Sequence, residues 1–371
     1  MGLWQSLFPG DEGRLADLYW EKSAIDKGIT IKDGTYNGTQ GDDVIKFAQL
    51  LFNRNPYNSK IFMRGGNDSV LTAGTPSNTT FYLDSGDDAL LMTEHTQILQ
   101  QRLLAHLNQL ARPRHARWDA LGLMAVRAYL GEQLAILGEV EMHHFSHGID
   151  AGVNLVLKLP GQRADLDPLL VGAHYDGPLH SIGADDNASG VAALLELAQR
   201  WSANPPKRPI WIVCFDQEEW GMVGSSALAA ELHQQGQRLK LMVSLEMLAY
   251  TSAQQNYPHQ SMRAIYGDRG DFIALVANAS SALMLPGLTR AMGNHVIAKA
   301  LPVPDRGRFL SDVRLSDHSP FWDLGYNAMM VTDTSFMRNP NYHEMSDTIE
   351  TLDLPFFANV VEGLDCALRS L

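Results

Sequence analysis

The sequence predicts an α/β fold: a three-layer α/β/α sandwich with a mixed, mostly parallel central sheet, preceded by a small β-rich N-terminal region. From residue 93 onward, apolar runs typical of buried strands alternate with segments of helical periodicity, as expected for a sheet covered by helices. Residues 30–92 are instead rich in Gly, Asn, Asp, Thr and Ser, as in short strands joined by turns. The 371 residues suffice for a large and a smaller domain, which we place at 93–371 and 1–92.

The N-terminal region contains three similar units in which a glycine and acidic turn residues precede an aliphatic residue. They are Gly41–Ile45, Gly66–Val70 and Gly86–Leu90. The units resemble a degenerate form of the Gly/Asp repeats with which parallel β-rolls bind calcium, although they lack the tandem period of about nine residues. Two interpretations stay open, a Ca²⁺ site and a short β-rich region with acidic turns and no calcium, and the second is favoured.

The larger region is divided into elements by periodicity and by apolar runs. Leucines recur at helical spacing over residues 97–110, and a second helix is expected over 118–137. The further predicted strands are 153–159, 169–173, 210–215, 239–245 and 328–332, and the further predicted helices are 191–201, 225–235, 272–284 and 354–368. Because ligands of such sheets bind beyond the carboxyl ends of the strands, the residues after each strand are the first candidates for chemistry.

The composition excludes several classes of function. Lys and Arg total 29 against 42 Asp and Glu, and the net charge of −13 is unsuited to nucleic acid or to an anionic membrane surface. The first residues lack the pattern of a secretory signal, so a cytoplasmic location is the default prediction and signal-less secretion the alternative. Two cysteines, Cys214 and Cys366, are too few for a disulfide framework.

Polar residues with ligand chemistry follow the predicted strand 169–173. His174 offers a metal-binding nitrogen, and Asp176 can accept its other ring N–H; alone, such a pair more often belongs to an ordinary loop. The next turn, Gly183–Gly190, holds two adjacent aspartates, and Ser189 is expected to cap the helix after it. One aspartate is predicted to point toward His174, and an ordinary turn is the alternative.

Two further strand ends and one loop carry the same chemistry. Glu218 and Glu219 follow strand 210–215; one can bind a metal while its neighbour moves protons, and a solvated loop is the alternative. Glu246 lies in an apolar strand end and needs a cation. His343 lies in a polar loop, where Asp347, four residues later, is expected to orient it.

Together these residues predict a metal centre. The candidate ligands are His174, Asp186, Glu219, Glu246 and His343. Imidazole with carboxylate is the ligand set expected for zinc, and five ligands with one shared carboxylate suffice for two ions.

Six motifs, in this order, resemble the zinc aminopeptidase family of peptidase clan MH, dizinc exopeptidases related to glutamate carboxypeptidase and glutaminyl cyclase. The motifs are VGAHYDG, GADDNASGVAALLELA, FDQEEWGMVGS, SLEML, SDHSPFWDLGYNAMMVTD and NYHEMSDT. The resemblance spans residues 93–371 and implies a hydrolase that cleaves N-terminal peptide bonds with two Zn²⁺ per chain.

The resemblance also implies a role for each matching residue. The zinc ligands would be His174 and Glu246 at one ion, Glu219 and His343 at the other, and Asp186 between them, with the Asp186–Asn187 peptide bond cis. The catalytic residues would be Glu218 as general base, Asp176 as the partner of His174, and Tyr342 as a donor to the oxyanion. The substrate contacts would be Arg338 and Asn339.

Other functions stay open at this point. One is a glutaminyl cyclase-like acyltransferase with a single zinc, against which the Asn187–Gly190 turn argues. Another is a carboxypeptidase of the same family, because related members remove C-terminal residues. A binding module without catalysis is a third, and the presence of Glu218 and of every ligand position argues against it.

Overall fold

The computed structural model describes residues 18–20, 30–32, 35–37, 44–47, 60–63, 69–72, 80–83, 89–92, 94–148 and 150–371. The chain divides into two compact units, Met1–Leu99 with Gly293–Val296, and Gln100–Met292 with Ile297–Leu371. The domain boundary after residue 92 remains a prediction.

The N-terminal unit has two four-stranded sheets among its described residues. Its strands are β1 (Leu18–Trp20), β2 (Thr30–Lys32), β3 (Thr35–Asn37), β4 (Val44–Phe47), β5 (Lys60–Met63), β6 (Ser69–Thr72), β7 (Thr80–Leu83) and β8 (Ala89–Met92). Strands β4, β6 and β8 pair in parallel in one sheet, as do β3, β5 and β7 in the other. The predicted β-rich region is confirmed, whereas the acidic turns behind the calcium interpretation lie outside the described residues.

The remainder of the chain forms eight strands and eight α-helices among its described residues. The strands are β9 (Val140–His147), β10 (Asp150–Leu159), β11 (Leu169–His174), β12 (Ile210–Phe215), β13 (Leu241–Glu246), β14 (Ile273–Asn278), β15 (Ala298–Val303) and β16 (Ala328–Thr332). The helices are α1 (Glu94–Leu110), α2 (Ala120–Ala135), α3 (Gly190–Ala203), α4 (Val223–Gln234), α5 (Gln260–Tyr266), α6 (Leu285–Met292), α7 (His318–Asp323) and α8 (Leu354–Arg369).

One sheet of order β15-β14-β16-β13-β11-β12-β10-β9 forms the centre of the larger unit. Its four middle strands, β16, β13, β11 and β12, run parallel, and both β10 and β14 are antiparallel to their middle neighbours. This confirms the mixed, mostly parallel sheet. The carboxyl ends of the middle strands consequently lie along one edge, where the candidate ligands follow them.

Helices cover both faces of this sheet. Leu228 of α4 and Trp322 of α7 belong to one apolar cluster with Leu170, Val213 and Met242 of the sheet. Helix α3 packs on β11 and β13, and α8 packs on α3. Strands β11 and β13 are therefore buried at every position, which explains why they appear in the sequence as continuous apolar runs.

The prediction of a helix over 272–284 is wrong. Ile273–Asn278 is strand β14, buried throughout between β15 and β16. The run contains Ala and Leu, which are good helix formers, but pairing inside a sheet overrides local propensity in a short buried segment. Strands β9 and β15 were not predicted. Strand β9 is largely exposed, and β15 contains Pro302, which is tolerated because β15 is an edge strand.

Candidate metal centre and adjoining cavity

The first group of potential ligands contains His174, Asp186 and Glu246. His174 Nε2 lies 3.5 Å from Asp186 Oδ1 and 3.5 Å from Glu246 Oε2, and all three residues are buried. Two ligand atoms bound to a tetrahedral zinc at the usual distances lie about 3.3 Å apart. The separations therefore fit one ion held at the ends of β11 and β13.

A second group contains Asp186 again, with Glu219 and His343, and a third combines His174 with Glu218 and Glu219. His343 Nε2 lies 3.1 Å from Asp186 Oδ2 and 3.4 Å from Glu219 Oε2. The two carboxylate oxygens of Asp186 thus face different groups. The His343 side chain is 42% exposed, so this second position is open to solvent, unlike the first.

The two adjacent glutamates, Glu218 and Glu219, have different surroundings. Asp176 connects their backbone N–H groups to His174 of the first group. Glu218 Oε2 lies 4.0 Å from His174 Nε2, whereas Glu219 Oε2 approaches His343. The backbone N–H groups of Glu218 and Glu219 donate to the two oxygens of Asp176 at 3.0 and 3.2 Å. Asp176 Oδ1 is also 3.5 Å from His174 Nδ1, so one carboxylate positions residues of two strand ends.

The pKa values of these groups reflect charges gathered away from water. Burial, reinforced by Glu246, raises the pKa of Glu218 well above its ordinary value, and burial with Asp186 does the same for Glu219. Burial alone lowers the pKa of His174, but Glu246 and Glu218 outweigh it and raise that pKa well above its usual range. A divalent cation among these carboxylates relieves their mutual repulsion.

A tight turn, Ala184–Ser189, carries Asp186 into the centre, and the Asp186–Asn187 peptide bond is cis, as expected. The expectation that Ser189 caps the following helix is wrong, because Ser189 is itself helical and its hydroxyl donates to the Asp185 carbonyl at 2.8 Å. Asn187 takes that role: its Oδ1 accepts the N–H of Gly190 at 3.1 Å.

Three residues of the surrounding structure have roles that the sequence did not predict. Asp347 does not hold His343; it accepts the backbone N–H groups of the turn that carries Asp186. Ser316 donates to Glu246 Oε2 at 2.7 Å and fixes that carboxylate. Arg114 donates to backbone carbonyls beneath the centre. Contacts to the main chain or from a serine leave no signal in a single sequence.

The remaining predicted residues are placed as follows. Tyr342 stacks on His343 with ring centroids 3.8 Å apart, and burial raises the pKa of its phenol, which therefore stays protonated. Arg338 is buried and donates to Gln255 Oε1 and to the Phe272 carbonyl. Asn339 donates to Asp185 Oδ2 at 2.9 Å. The contacts of Arg338 and Asn339 are those of structural residues, and their predicted role in substrate binding remains a prediction.

A cavity of about 260 Å³ opens beside the metal centre. Glu218, Glu219, Tyr342 and His343 line one end of it. The rest is mostly apolar and is formed by strands β14, β15 and β16 and by residues 257–266. The apolar lining residues include Tyr257, Met262, Tyr266, Phe272, Ala274, Val276, Leu301, Leu310, Val313 and Met330. Lys299 also lines the cavity, with its ammonium 3.7 Å from the Phe272 ring centroid.

A three-layer sandwich with imidazole and carboxylate side chains at its strand ends is the arrangement expected of a zinc-dependent hydrolase. The chain belongs to peptidase family M28, whose sequence profile matches residues 154–364. An Escherichia coli (strain K12) protein called YfbL, of uncharacterized function, is 35% identical over 214 residues, which cover 54% of this chain and 66% of YfbL.

Two solved structures resemble the fold. The LapA aminopeptidase of Legionella pneumophila superposes with a TM-score of 0.56 at 19% identity, covering 74% of this chain and 71% of LapA. The glutaminyl cyclase of Bacteroides thetaiotaomicron, bound to N-acetylhistamine, gives 0.54 at 16% identity and covers 74% and 98%. At such identities the likeness concerns the fold alone. None of the described helices has the length and apolar character needed to cross a bilayer.

Proposed function

We propose that this chain is a metallo-exopeptidase that hydrolyses N-terminal peptide bonds with two zinc ions and with Glu218 as general base. The observation that carries the proposal is the pair of ligand groups that share Asp186. A carboxylate whose two oxygens serve different groups is what a pair of neighbouring ions requires.

The residues themselves fit zinc. Their donors are imidazole nitrogens and carboxylate oxygens separated by 3.1–3.5 Å within the two groups. Glu219 Oε1 is a buried polar atom without a hydrogen-bond partner among the described residues, as expected of a site built around an ion. When bound, zinc supplies Lewis acidity toward the scissile carbonyl and acidifies the attacking water.

Glu218 is positioned to move the protons of the reaction. Its carboxylate lines the cavity and is 13% exposed, so substrate and water can reach it. It is placed to take a proton from the attacking water and to deliver it to the leaving amine. Tyr342, a neutral phenol at the cavity wall, donates toward the carbonyl oxygen as negative charge develops there.

The charge of the centre supports cleavage at the N-terminus. The centre contains five carboxylates, whose negative charges exceed the four positive charges of two zinc ions. They are Asp176, Asp186, Glu218, Glu219 and Glu246. A protonated α-amine is stabilised in such surroundings, whereas a C-terminal carboxylate needs a cation. Among the described residues that line the cavity, Lys299 is the one Lys or Arg. This balance favours an aminopeptidase over a carboxypeptidase.

The cavity supports a preference for large apolar side chains at the N-terminal position. An apolar cavity of about 150 Å³ already admits benzene, and this one has a volume of about 260 Å³. Several of its walls are methionines, which adapt to irregular shapes. We expect phenylalanyl, leucyl and methionyl substrates to be cleaved faster than alanyl, glycyl or aspartyl ones.

A glutaminyl cyclase is the second candidate, because the fold also superposes on a protein of that name. A cyclase of this kind uses one zinc, and it transfers an acyl group within the substrate instead of to water. The second ligand group, with solvent-accessible His343, argues for the peptidase.

One experiment separates these functions. The full chain, purified without chelator, is analysed for metal and assayed on aminoacyl-arylamides and on N-terminal glutaminyl peptides, with and without chelator. We expect two zinc equivalents and chelator-sensitive release of arylamine. One equivalent with cyclisation of glutamine identifies the cyclase, and a protein with neither metal nor activity contradicts both.

For the N-terminal region we propose a role outside hydrolysis and no calcium site. All the candidate ligands lie in residues 174–343, so a fragment of residues 93–371 is expected to retain zinc and activity. A folded, zinc-loaded fragment without activity contradicts this. A rise in the melting temperature of the full chain with Ca²⁺, absent from the fragment, supports the calcium interpretation instead.

A further inference from the structure

A buried arginine, Arg114, lies beneath the metal centre and donates all of its N–H groups to main-chain carbonyls. Arg114 is 1% exposed. Its five N–H groups donate to the backbone carbonyls of Arg112, Tyr175, Ile182, Gly183 and Asp186. Among the described residues it forms no salt bridge. Buried arginines are rarely left without a carboxylate partner, so this arrangement calls for an explanation.

Four of the five carbonyls belong to the two segments that carry His174 and Asp186 of the first group. Tyr175, whose carbonyl lies 3.0 Å from Arg114 Nε, directly follows His174. The carbonyls of Gly183 and Asp186 lie 2.9 and 3.2 Å from Nη2. One planar guanidinium thus fixes the end of β11 relative to the turn that carries the bridging carboxylate.

Asp347 holds the same turn through its amides. Its carboxylate is fully buried and accepts the N–H of Asp185 at 2.9 Å and the N–H of Asp186 at 3.1 Å, one on each oxygen. The turn is therefore bound by a cation at its carbonyls and by an anion at its amides. Each group meets main-chain atoms of the polarity that it can stabilise.

The packing leaves this turn little freedom. A Cβ atom at Gly177 would lie 3.0 Å from Arg114 Cγ, and a Cβ atom at Gly183 would lie 3.0 Å from Nη2. Gly183 also adopts a φ of +54°, which disfavours any other residue. A Cβ atom at either position would therefore press on the Arg114 side chain, which would have to move by a few tenths of an ångström.

We propose that Arg114 and Asp347 are positioning residues that hold the turn 182–186 so that both oxygens of Asp186 face their metal positions before any ion binds. The inference rests on the proposed two-zinc function. A ligand that is fixed in advance does not have to be ordered when the metal arrives, so the two residues are expected to raise metal affinity without touching metal or substrate.

The test compares zinc dissociation constants of metal-free full-length variants, measured by competition with a chromophoric chelator. Arg114→Met removes all five donors, Arg114→Lys keeps the charge without the planar fork, and Asp347→Asn leaves one amide without an acceptor. Arg208→Met is the control, because Arg208 is a partly buried arginine that also donates to main-chain oxygens, those of Asp167 and Leu371. Thermal melts of the metal-free proteins show whether each variant folds.

We expect zinc affinity to fall about 10- to 100-fold in Arg114→Met, as is typical when an outer partner of a metal ligand is removed. Arg114→Lys and Asp347→Asn are expected to lose less, and Arg208→Met nothing. A folded Arg114→Met protein with wild-type zinc affinity overturns the proposal, as does complete recovery in Arg114→Lys, which would assign the effect to charge alone.

The remaining outcomes are also decisive. If Arg114→Met does not fold, wild-type affinity in both Arg114→Lys and Asp347→Asn overturns the proposal, and reduced affinity in both supports it. A wild-type protein that binds a single ion contradicts the two-zinc function. The ratio of variant to wild-type affinity for that ion still decides the role of Arg114.

Discussion

Glu218 and Glu219 are consecutive in the chain, yet their side chains meet different partners. Glu218 lies near His174 and the cavity, whereas Glu219 approaches His343 and Asp186. Because the two side chains point in different directions, Glu219 can bind metal while Glu218 accepts and donates protons. The two roles make opposite predictions for the same chemical change.

Replacing Glu218 with Gln is expected to lower kcat at least about a hundredfold, because the amide keeps the shape of the carboxylate but cannot accept the proton. The variant should retain both zinc ions and a near-normal KM. Glu219→Gln should lose zinc instead. Steady-state kinetics together with elemental analysis of both variants checks the assignment. If Glu218→Gln loses metal and Glu219→Gln keeps it, the two roles are reversed; if both keep metal and activity, this is not the catalytic site.

Gly183 is a second residue at which a small change has a large expected effect. A methyl group there would lie 2.0 Å from the Asp186 carbonyl oxygen, at a φ of +54°. We expect Gly183→Ala to destabilise the fold by about 1–3 kcal/mol from backbone strain alone, with reduced zinc content.

Gly131→Ala is the matched control for Gly183. Gly131 lies within helix α2, and a Cβ atom there meets nothing within 4 Å, so the substitution should stabilise the protein by about 0.5–1 kcal/mol. Urea unfolding of both variants measures the difference. Equal stability of the two would show that the turn tolerates a side chain.

At the scale of elements, helix α7 begins with a buried histidine that has no role in the metal centre. His318 Nε2 donates to the Val313 carbonyl at 2.9 Å, and the ring lies edge-on against Trp322. Burial lowers the pKa of His318 to about 3. In the unfolded chain His318 binds a proton near pH 6.5, whereas in the folded chain it stays neutral down to about pH 3. The free energy of unfolding therefore decreases as the pH falls from about 6.5 toward 3.

Between pH 7 and pH 5 this one group is expected to cost about 2 kcal/mol of unfolding free energy, because each unit below pH 6.5 costs about 1.4 kcal/mol. His318→Gln keeps a donor to Val313 but does not titrate. Urea titrations of the wild type and the variant at both pH values isolate the effect from the buried carboxylates. An identical pH dependence in the two proteins would show that folding does not change the pKa of His318.

How much the sequence predicted differs among elements for physical reasons. The candidate ligands could be found because a buried strand is an apolar run, and a polar residue at its end is conspicuous. The sequence does not distinguish strand β14 from a helix, because a short apolar run has no clear period. A single sequence does not indicate the role of Arg114, because its partners are backbone carbonyls. The predicted partner of Asp347 is wrong, because its carboxylate accepts from backbone N–H groups that are far away in sequence.

At the scale of the molecule, the metal centre joins parts of the chain that are distant in sequence. The candidate ligands lie between residues 174 and 343, at the ends of β11 and β13 and in three loops. An ion bound there connects these segments only in the folded state. Metal binding and folding are therefore coupled.

Removing zinc is expected to lower the melting temperature, and adding it back should restore both stability and activity. Zinc at a hundredfold excess over its dissociation constant stabilises a folded protein by about 2.7 kcal/mol per site. Melts of the full chain with chelator, with zinc and with Mg²⁺ measure the effect, and Mg²⁺ is not expected to replace zinc at imidazole ligands. Equal melting temperatures with and without chelator would argue against a centre of this kind.

The segment 257–266 lines the cavity, and its place on the surface has a consequence for substrate preference. Helix α5 has no buried residue, yet Met262 and Tyr266 line the cavity, and no predicted ligand lies in this segment. Tyr266 is tied to the edge strand β15, because its hydroxyl donates to the Ala300 carbonyl at 3.0 Å. Substitutions at the other positions of this segment are expected to alter the shape of the cavity without disturbing the sheet or the candidate ligands. A library confined to residues 257–265 is therefore expected to yield new substrate preferences while the candidate metal ligands stay unchanged.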